Sequence, residues 1–259
     1  MTLLLVGIAF VLGDLWMLFV LTPLVHLRPS ARIRILGAFA QLTANTVIVL
    51  LRHVAGARVD LQSVVPAKGG VLMVMNHQSI VDIPLAAASV PAAYPRIVAR
   101  ARYGRGIPLV SHMLSLYGHI LVQPGKTGRQ ELDALAETAR TSTLPILIYP
   151  EGHRTRDGEI RPWKRAGLDA FLSAREWSVY VVVVDGLWRV GRIPDFISNI
   201  SGVHCRVEVV GPFQYDGRGR ATHDEFVDEL QRVMCAKLSD MRAIARSYTP
   251  ANDAALEQR

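Results

Sequence analysis

The chain has 259 residues, enough for one large domain with a full core; half of them are hydrophobic, and mean hydropathy is +0.24. The formal charge is +7 and the isoelectric point lies near 9.8. An apolar, basic chain fits an anionic membrane surface, and nucleic acid is set aside because the arginines are dispersed and no finger or RNA-binding motif accompanies them.

From Leu3 to Leu27 the chain is almost wholly apolar, interrupted by Asp14, Thr22, Pro23 and His26 and followed by Arg28, Arg32 and Arg34. That length is enough to span a bilayer, and the trailing arginines would then face the cytoplasm together with the rest of the chain. Asp14 weighs against spanning, since a carboxylate at the bilayer centre needs a partner. A second segment, Ile35 to Leu51, has helical period with few polar interruptions and is short for a clean span. The pair reads as a membrane-associated helical hairpin over residues 1–56, lying in one leaflet, with a single span as the rival arrangement. Residues 57–249 read as the globular domain and 250–259 as a disordered tail.

Within the domain, Ala57 to Leu61 predicts a short strand and Val71 to Met75 a strand covered on both faces. Asp82 is placed to cap a helix over Ile83 to Ala88. Further strands are expected at Arg96 to Ala99, Ile120 to Val122, Pro145 to Tyr149 and Val179 to Val184. Helices are expected at Ile107 to Tyr117, Arg129 to Arg140 and Ala166 to Ala174. Alternation from Val203 to Val209 predicts a half-exposed strand ended by Gly211 and Pro212. Thr222 and Glu225 form a capping box for a last helix to about Arg246, with Phe226, Leu230, Val233, Met234, Met241 and Ile244 inward. Strands alternating with helices give an α/β layer fold: a buried, mostly parallel central sheet flanked by helices, with the site on loops at one edge. The only cysteines, Cys205 and Cys235, have no metal-ligand spacing and fit a reducing compartment.

Two loops following buried strands carry chemistry. In Asn76-His77-Gln78-Ser79-Ile80-Val81-Asp82 a histidine precedes an aspartate by five positions. An imidazole whose far nitrogen is held by a carboxylate is a general base, and the two meet when the histidine lies on the loop before the helix. The second loop is Pro150-Glu151-Gly152-His153-Arg154, with Trp163-Lys164-Arg165-Ala166-Gly167 downstream. These blocks resemble the glycerolipid acyltransferase family, which includes bacterial 1-acyl-sn-glycerol-3-phosphate acyltransferases. The first block matches the family's Asn-His-x4-Asp fully, and the second matches Pro-Glu-Gly-Thr-Arg with His153 in the threonine place. The similarity runs from about Val71 to Gly211.

The resemblance implies a membrane-bound O-acyltransferase. His77, oriented by Asp82, would take the proton of an acceptor hydroxyl as it attacks an acyl thioester, with no covalent acyl-enzyme. It implies no cofactor; acyl-CoA or acyl-carrier protein is the donor substrate, and Arg100 to Arg105 is a contact for either. The acceptor is a membrane lysophospholipid, most simply 1-acylglycerol-3-phosphate giving phosphatidic acid. Asn76, Glu151, Gly152, His153, Arg154 and Lys126 are the implied substrate-binding positions. Two departures bear on the acceptor. Pro124 stands where the family places a phosphate-contacting arginine, and the strand block Ser178 to Val184 lacks its usual prolines. Arg154, Lys126 or Arg129 would then supply the cation. The alternatives are another lysolipid acceptor, such as a lyso-ornithine lipid, or a non-catalytic lipid-binding relative. A serine hydrolase is disfavoured, because no Gly-x-Ser-x-Gly elbow is present and Ser79 lies only two residues from His77.

Overall fold

The computed structural model describes residues 11–62, 64–123, 128–191, 199–216 and 220–248. The first apolar segment is described from Val11 and the expected tail not at all; Lys126 and Pro124 also lie outside the described residues. The fold is the α/β sandwich that the alternating elements imply. Strands β1 (Arg58–Leu61), β2 (Val71–Met75), β3 (Arg96–Arg100), β4 (Ile120–Val122), β5 (Ile146–Ile148), β6 (Trp177–Asp185) and β7 (His204–Tyr215) form one sheet. Their spatial order is β1-β7-β6-β2-β5-β3-β4. All neighbours are parallel except β6 and β7.

Helices α1 (Val11–Leu27), α2 (Arg32–His53), α3 (Asp82–Ala88), α4 (Val110–Tyr117), α5 (Arg129–Thr141), α6 (Arg165–Leu172) and α7 (Arg220–Tyr248) cover it. The continuous apolar runs of β2 and β6 exist because both sheet faces are dry. Val71, Met73 and Met75 point into one core with Tyr180, Val182 and the stripe Leu36, Ala40, Ala44, Ile48 of α2. Leu72 and Val74 point into the other, with Val181, Phe171 of α6 and Leu230 and Met234 of α7. Successive side chains on a strand must part in this way.

The structure moves several boundaries. Strand β7 continues through Gly211 and Pro212 to Tyr215. Its pairing with β6 shifts between Val179 and Val181, and the resulting bulge accepts a proline without costing a regular ladder bond. Helix α7 begins at Arg220, ahead of the expected capping box; its buried stripe includes Val227 and Leu238, whereas Ile244 is exposed. Helix α4 starts at Val110 because Leu109 has φ 65°, outside helical geometry.

The two N-terminal helices differ in their partners. The helix from Pro29 to His53 has the length and apolar composition to cross a membrane. Its inner stripe nevertheless packs on α3, and Gln41 Nε2 donates to the Ala87 carbonyl. Helix α1 buries Met17, Leu21 and Val25 and leaves an apolar outer face, with Leu12 59%, Trp16 54% and Phe19 69% exposed. Asp14 on α1 has partners: its Oδ1 accepts the Leu109 N–H and lies 2.7 Å from His112 Nδ1. The carboxylate that argues against a free span is thus the group that docks α1 on the domain. We expect Asp14→Ala to lower stability by about 1 kcal/mol, below the usual range for charged hydrogen bonds because solvent screens a part-exposed pair, and to speed proteolytic loss of α1. Thermal unfolding and limited proteolysis in detergent measure both.

Candidate active site

Parallel strands β2, β3, β5 and β6 deliver their C-terminal ends to one sheet edge, where loops and a crevice collect. The loop after β2 carries His77 and ends in α3. His77 Nδ1 lies 2.8 Å from Asp82 Oδ2. The same oxygen accepts the N–H groups of Gln78 (2.6 Å) and Ser79 (2.8 Å). Asp82 is fully buried and is the first residue of α3, where the helix N-terminus favours an acid. It does not cap that helix as expected: Val81 holds the cap position and the carboxylate turns back to the loop. With Nδ1–H directed at Asp82, Nε2 is left to accept a proton. The imidazole also stacks on Tyr149, ring centroids 4.2 Å apart. Among the described residues, Asp82 Oδ1 and the buried Tyr149 hydroxyl have no protein partner. Burial, and then the Asp82 charge, holds the Tyr149 hydroxyl far above its ordinary pKa.

The expected site residues divide into braces and cavity walls. Asn76 is a brace: its Nδ2 donates to Val184 O (2.9 Å) and its Oδ1 accepts Val184 N–H (2.8 Å), extending the β2–β6 ladder by one side chain. Glu151 is a second brace, 1% exposed; its two oxygens accept the N–H groups of His77 and Arg161, both at 2.9 Å. The Thr155 N–H returns to the His77 carbonyl at 2.8 Å, so two bonds staple the two loops while the Arg161 N–H bond closes the second loop on itself. Burial pushes the Glu151 carboxyl above its ordinary value of 4.5, partly opposed by the two N–H donors.

His77, Gly152, His153 and Arg154 all line a cavity of about 920 Å³. Gly152 turns the loop at φ 72°, and a Cβ there would meet the Lys164 side chain at 3.1 Å. Arg154 Nη1 donates to Gly191 O (2.6 Å) and Arg100 Nη2 to Gly152 O (2.6 Å). Val98, Val122, Leu135 and Ile148 give the cavity an apolar side. Arg100, Arg102, Arg154, Arg156, Lys164 and Arg189 give it a cationic one. None of these six has a carboxylate partner among the described residues. Arg129, offered as a substitute cation, does not line the cavity. Arg156 and Arg189 are cavity residues that motif reading misses, since nothing in their spacing separates them from surface bases; Tyr149 and Lys164 stand beside or within the motif blocks, whose spacing gives them no role. His119 is buried beside Tyr94 and Tyr117, and desolvation pushes it down to about 3.

Residues 56–185 match the family model described as Acyltransferase. The chain is 23% identical over 203 residues to human (Homo sapiens) 1-acyl-sn-glycerol-3-phosphate acyltransferase alpha, covering 75% of this chain and 68% of that one. It is 23% identical over 175 residues to the Bos taurus protein of the same name, covering 64% and 58%. The crystal structure of PlsC, the 1-acyl-sn-glycerophosphate (LPA) acyltransferase of Thermotoga maritima, shares the fold. Its TM-score is 0.63 at 17% identity, covering 92% of this chain and 98% of that chain.

The Glu151 brace makes a pH prediction. A raised pKa means that the folded chain holds the proton more tightly than the unfolded one, so stability falls as pH rises from 4.5 through the folded value. Glu151→Gln should lack that component of the pH dependence, and thermal unfolding of both proteins across this range measures the difference.

Proposed function

Because the chain belongs to the acyltransferase family, an enzyme family, we propose that it moves a fatty acyl group from an acyl thioester to the hydroxyl of a membrane lysophospholipid. The simplest product is phosphatidic acid from 1-acylglycerol-3-phosphate. The observation that carries this reading is the placing of the His77–Asp82 pair on a cavity with one apolar and one cationic side. An acyl chain needs the first side and an anionic headgroup or donor phosphate the second.

In the proposed reaction His77 Nε2 takes the acceptor hydroxyl proton as the oxygen attacks the thioester carbonyl. The new C–O ester bond forms, the C–S bond breaks, and the thiolate leaves with the proton that His77 releases. Asp82 holds the ring and stabilises the imidazolium between the two transfers. No nucleophilic side chain is needed; Ser79 is fully buried, and its Oγ receives the Val81 N–H at 3.4 Å. The donor is acyl-CoA or acyl-carrier protein, met by exposed Arg102 and Arg105 at the rim. Arg100, Arg154 and Lys164 line the same cavity as His77 and stand in for the arginine that Pro124 replaces. The apolar outer face of α1 supports membrane association, and the arginines after it support a cytoplasmic active site.

His77→Ala should abolish acceptor-dependent release of CoA from palmitoyl-CoA while membrane association persists. Asp82→Asn should lower kcat by about 10²–10⁴-fold, because an amide cannot accept all three donors and misorients the imidazole. Turnover that survives His77→Ala would remove the general-base role.

Pro124 favours a second reading, an acceptor without a phosphomonoester. A panel of lysophosphatidic acid against lysolipids with diester or amino-acid headgroups separates the two. Preference for lysophosphatidic acid is expected from the six cavity cations that have no carboxylate partner among the described residues, and preference for the others would make Pro124 the mark of a changed substrate.

A further inference from the structure

The family match ends at residue 185, and helix α7 lies wholly beyond it. One of its side chains, Arg242, nonetheless reaches the back of the 151–161 loop and the end of β6, which in turn holds Gln78 of the His77 loop. Its Nη1 donates to Glu159 Oε1 (2.6 Å), and its Nη2 to Gly158 O (2.7 Å) and Asp185 Oδ1 (3.3 Å). Its Nε lies 3.4 Å from each Asp185 oxygen. Asp185 closes β6 and is 7% exposed. Its Oδ1 also receives the Gln78 side-chain amide at 3.4 Å, and Gln78 Oε1 accepts the Leu187 N–H at 3.0 Å. Gln78 is fully buried and follows His77 directly. Gly158 and Glu159 belong to the loop in which Glu151 holds the His77 N–H. Gly158 has φ 82°, and an added Cβ would lie 2.7 Å from Arg242 Nη2 and 2.8 Å from the Trp188 ring, so the guanidinium packs directly on the loop backbone where no side chain fits.

We propose that Arg242 is a positioning residue for acyl transfer: its guanidinium ties the end of β6 to the 151–161 loop and so fixes, from behind, the backbone on either side of His77. The inference rests on His77 acting as the base. A mere anchor for α7 is the competing role, and the helix has other anchors. Its buried stripe packs under the sheet, Lys237 pairs with Glu208, and Arg165 of α6 reaches Asp224 and Asp228. Anchoring needs only a charge or apolar burial. Joining a backbone carbonyl, Glu159 and a buried Asp185 in different directions uses the planar fork that arginine has and lysine lacks. Displacing a catalytic group by about 1 Å costs on the order of 10²-fold in rate, which sets the scale of the expected effect.

The test uses the full chain in detergent, with palmitoyl-CoA and the lysolipid that the acceptor panel selects, and reads kcat, acceptor KM and thermal unfolding. Arg242→Ala should lower kcat by about 10–100-fold with KM changed less than about twofold. Lys237→Ala, which removes an α7 anchor away from the loops, should keep the parent kcat. Arg242 also lines a second cavity of about 1070 Å³, so guanidinium ion at non-denaturing concentration should restore part of the Arg242→Ala rate. Should Arg242→Ala fail to fold, Arg242→Lys keeps the charge without the fork and should still lose kcat several-fold. An unchanged kcat in Arg242→Ala or Arg242→Lys, or an equal loss in Lys237→Ala, would overturn the positioning role. His77→Ala run alongside separates failures: turnover surviving there sinks the base reading itself, whereas a dead His77→Ala beside a fully active Arg242→Ala sinks only the inference about Arg242.

Discussion

A single carboxylate oxygen, Oδ2 of Asp82, organises the sheet edge that carries the candidate site. It gathers the His77 ring and the N–H groups of Gln78 and Ser79 at 2.6–2.8 Å, at the first turn of α3. Burying a carboxylate costs several kcal/mol, and each charge-assisted bond returns about 1.5–3 kcal/mol, so three donors and a helix terminus are of the size needed to hold the group in a dry site. The loop geometry and the imidazole orientation are therefore one constraint. A loop that drifted would leave Asp82 without its donors, and a carboxylate that moved would leave the loop without its centre.

The remaining acids follow the same logic from behind the cavity. Glu151 staples the two loops through backbone N–H groups, and Asp185 sits at the end of β6 among Arg242, Arg206 and Gln78. The cavity wall itself carries guanidinium and ammonium groups unmatched by carboxylates among the described residues. Acids spent internally and bases left facing the cavity make it attract anions without a special loop for the purpose. The net positive charge of the whole chain, an unspecific fact on its own, thus acquires a location.

The layer fold is readable from the sequence because buried strands with both faces covered must be apolar throughout, and β2 and β6 are. The His77–Asp82 contact is readable because a loop residue five positions before a helix start can meet the first helical turn. The roles of Asn76 and Glu151 are not. A polar residue in a motif suggests substrate, whereas here both side chains are hydrogen-bonded to backbone groups of Val184, His77 and Arg161, of which the first two are distant in sequence. The end of β7 is misread for a related reason: Gly211 and Pro212 signal a stop locally, but a bulge against β6 absorbs them. Arg242 carries no local signal, since an arginine on an exposed helix looks like any solvated charge until the fold brings Gly158, Glu159 and Asp185 to it.

The N-terminal helices follow from the same balance of burial. An apolar helix in water must hide its surface, and α2 hides one stripe on α3 and the sheet, becoming part of the first core. Helix α1 hides far less and keeps Leu12, Trp16 and Phe19 outward, which is costly in water and favourable against lipid. Asp14 orders the two outcomes. Its carboxylate would be expensive inside a bilayer, but bound to Leu109 N–H and His112 it belongs to the protein side of α1, on the segment that leads back through Ser111 and Tyr103 to the basic rim. One face of α1 is thereby assigned to the domain, and the apolar outer face is left exposed among the described residues.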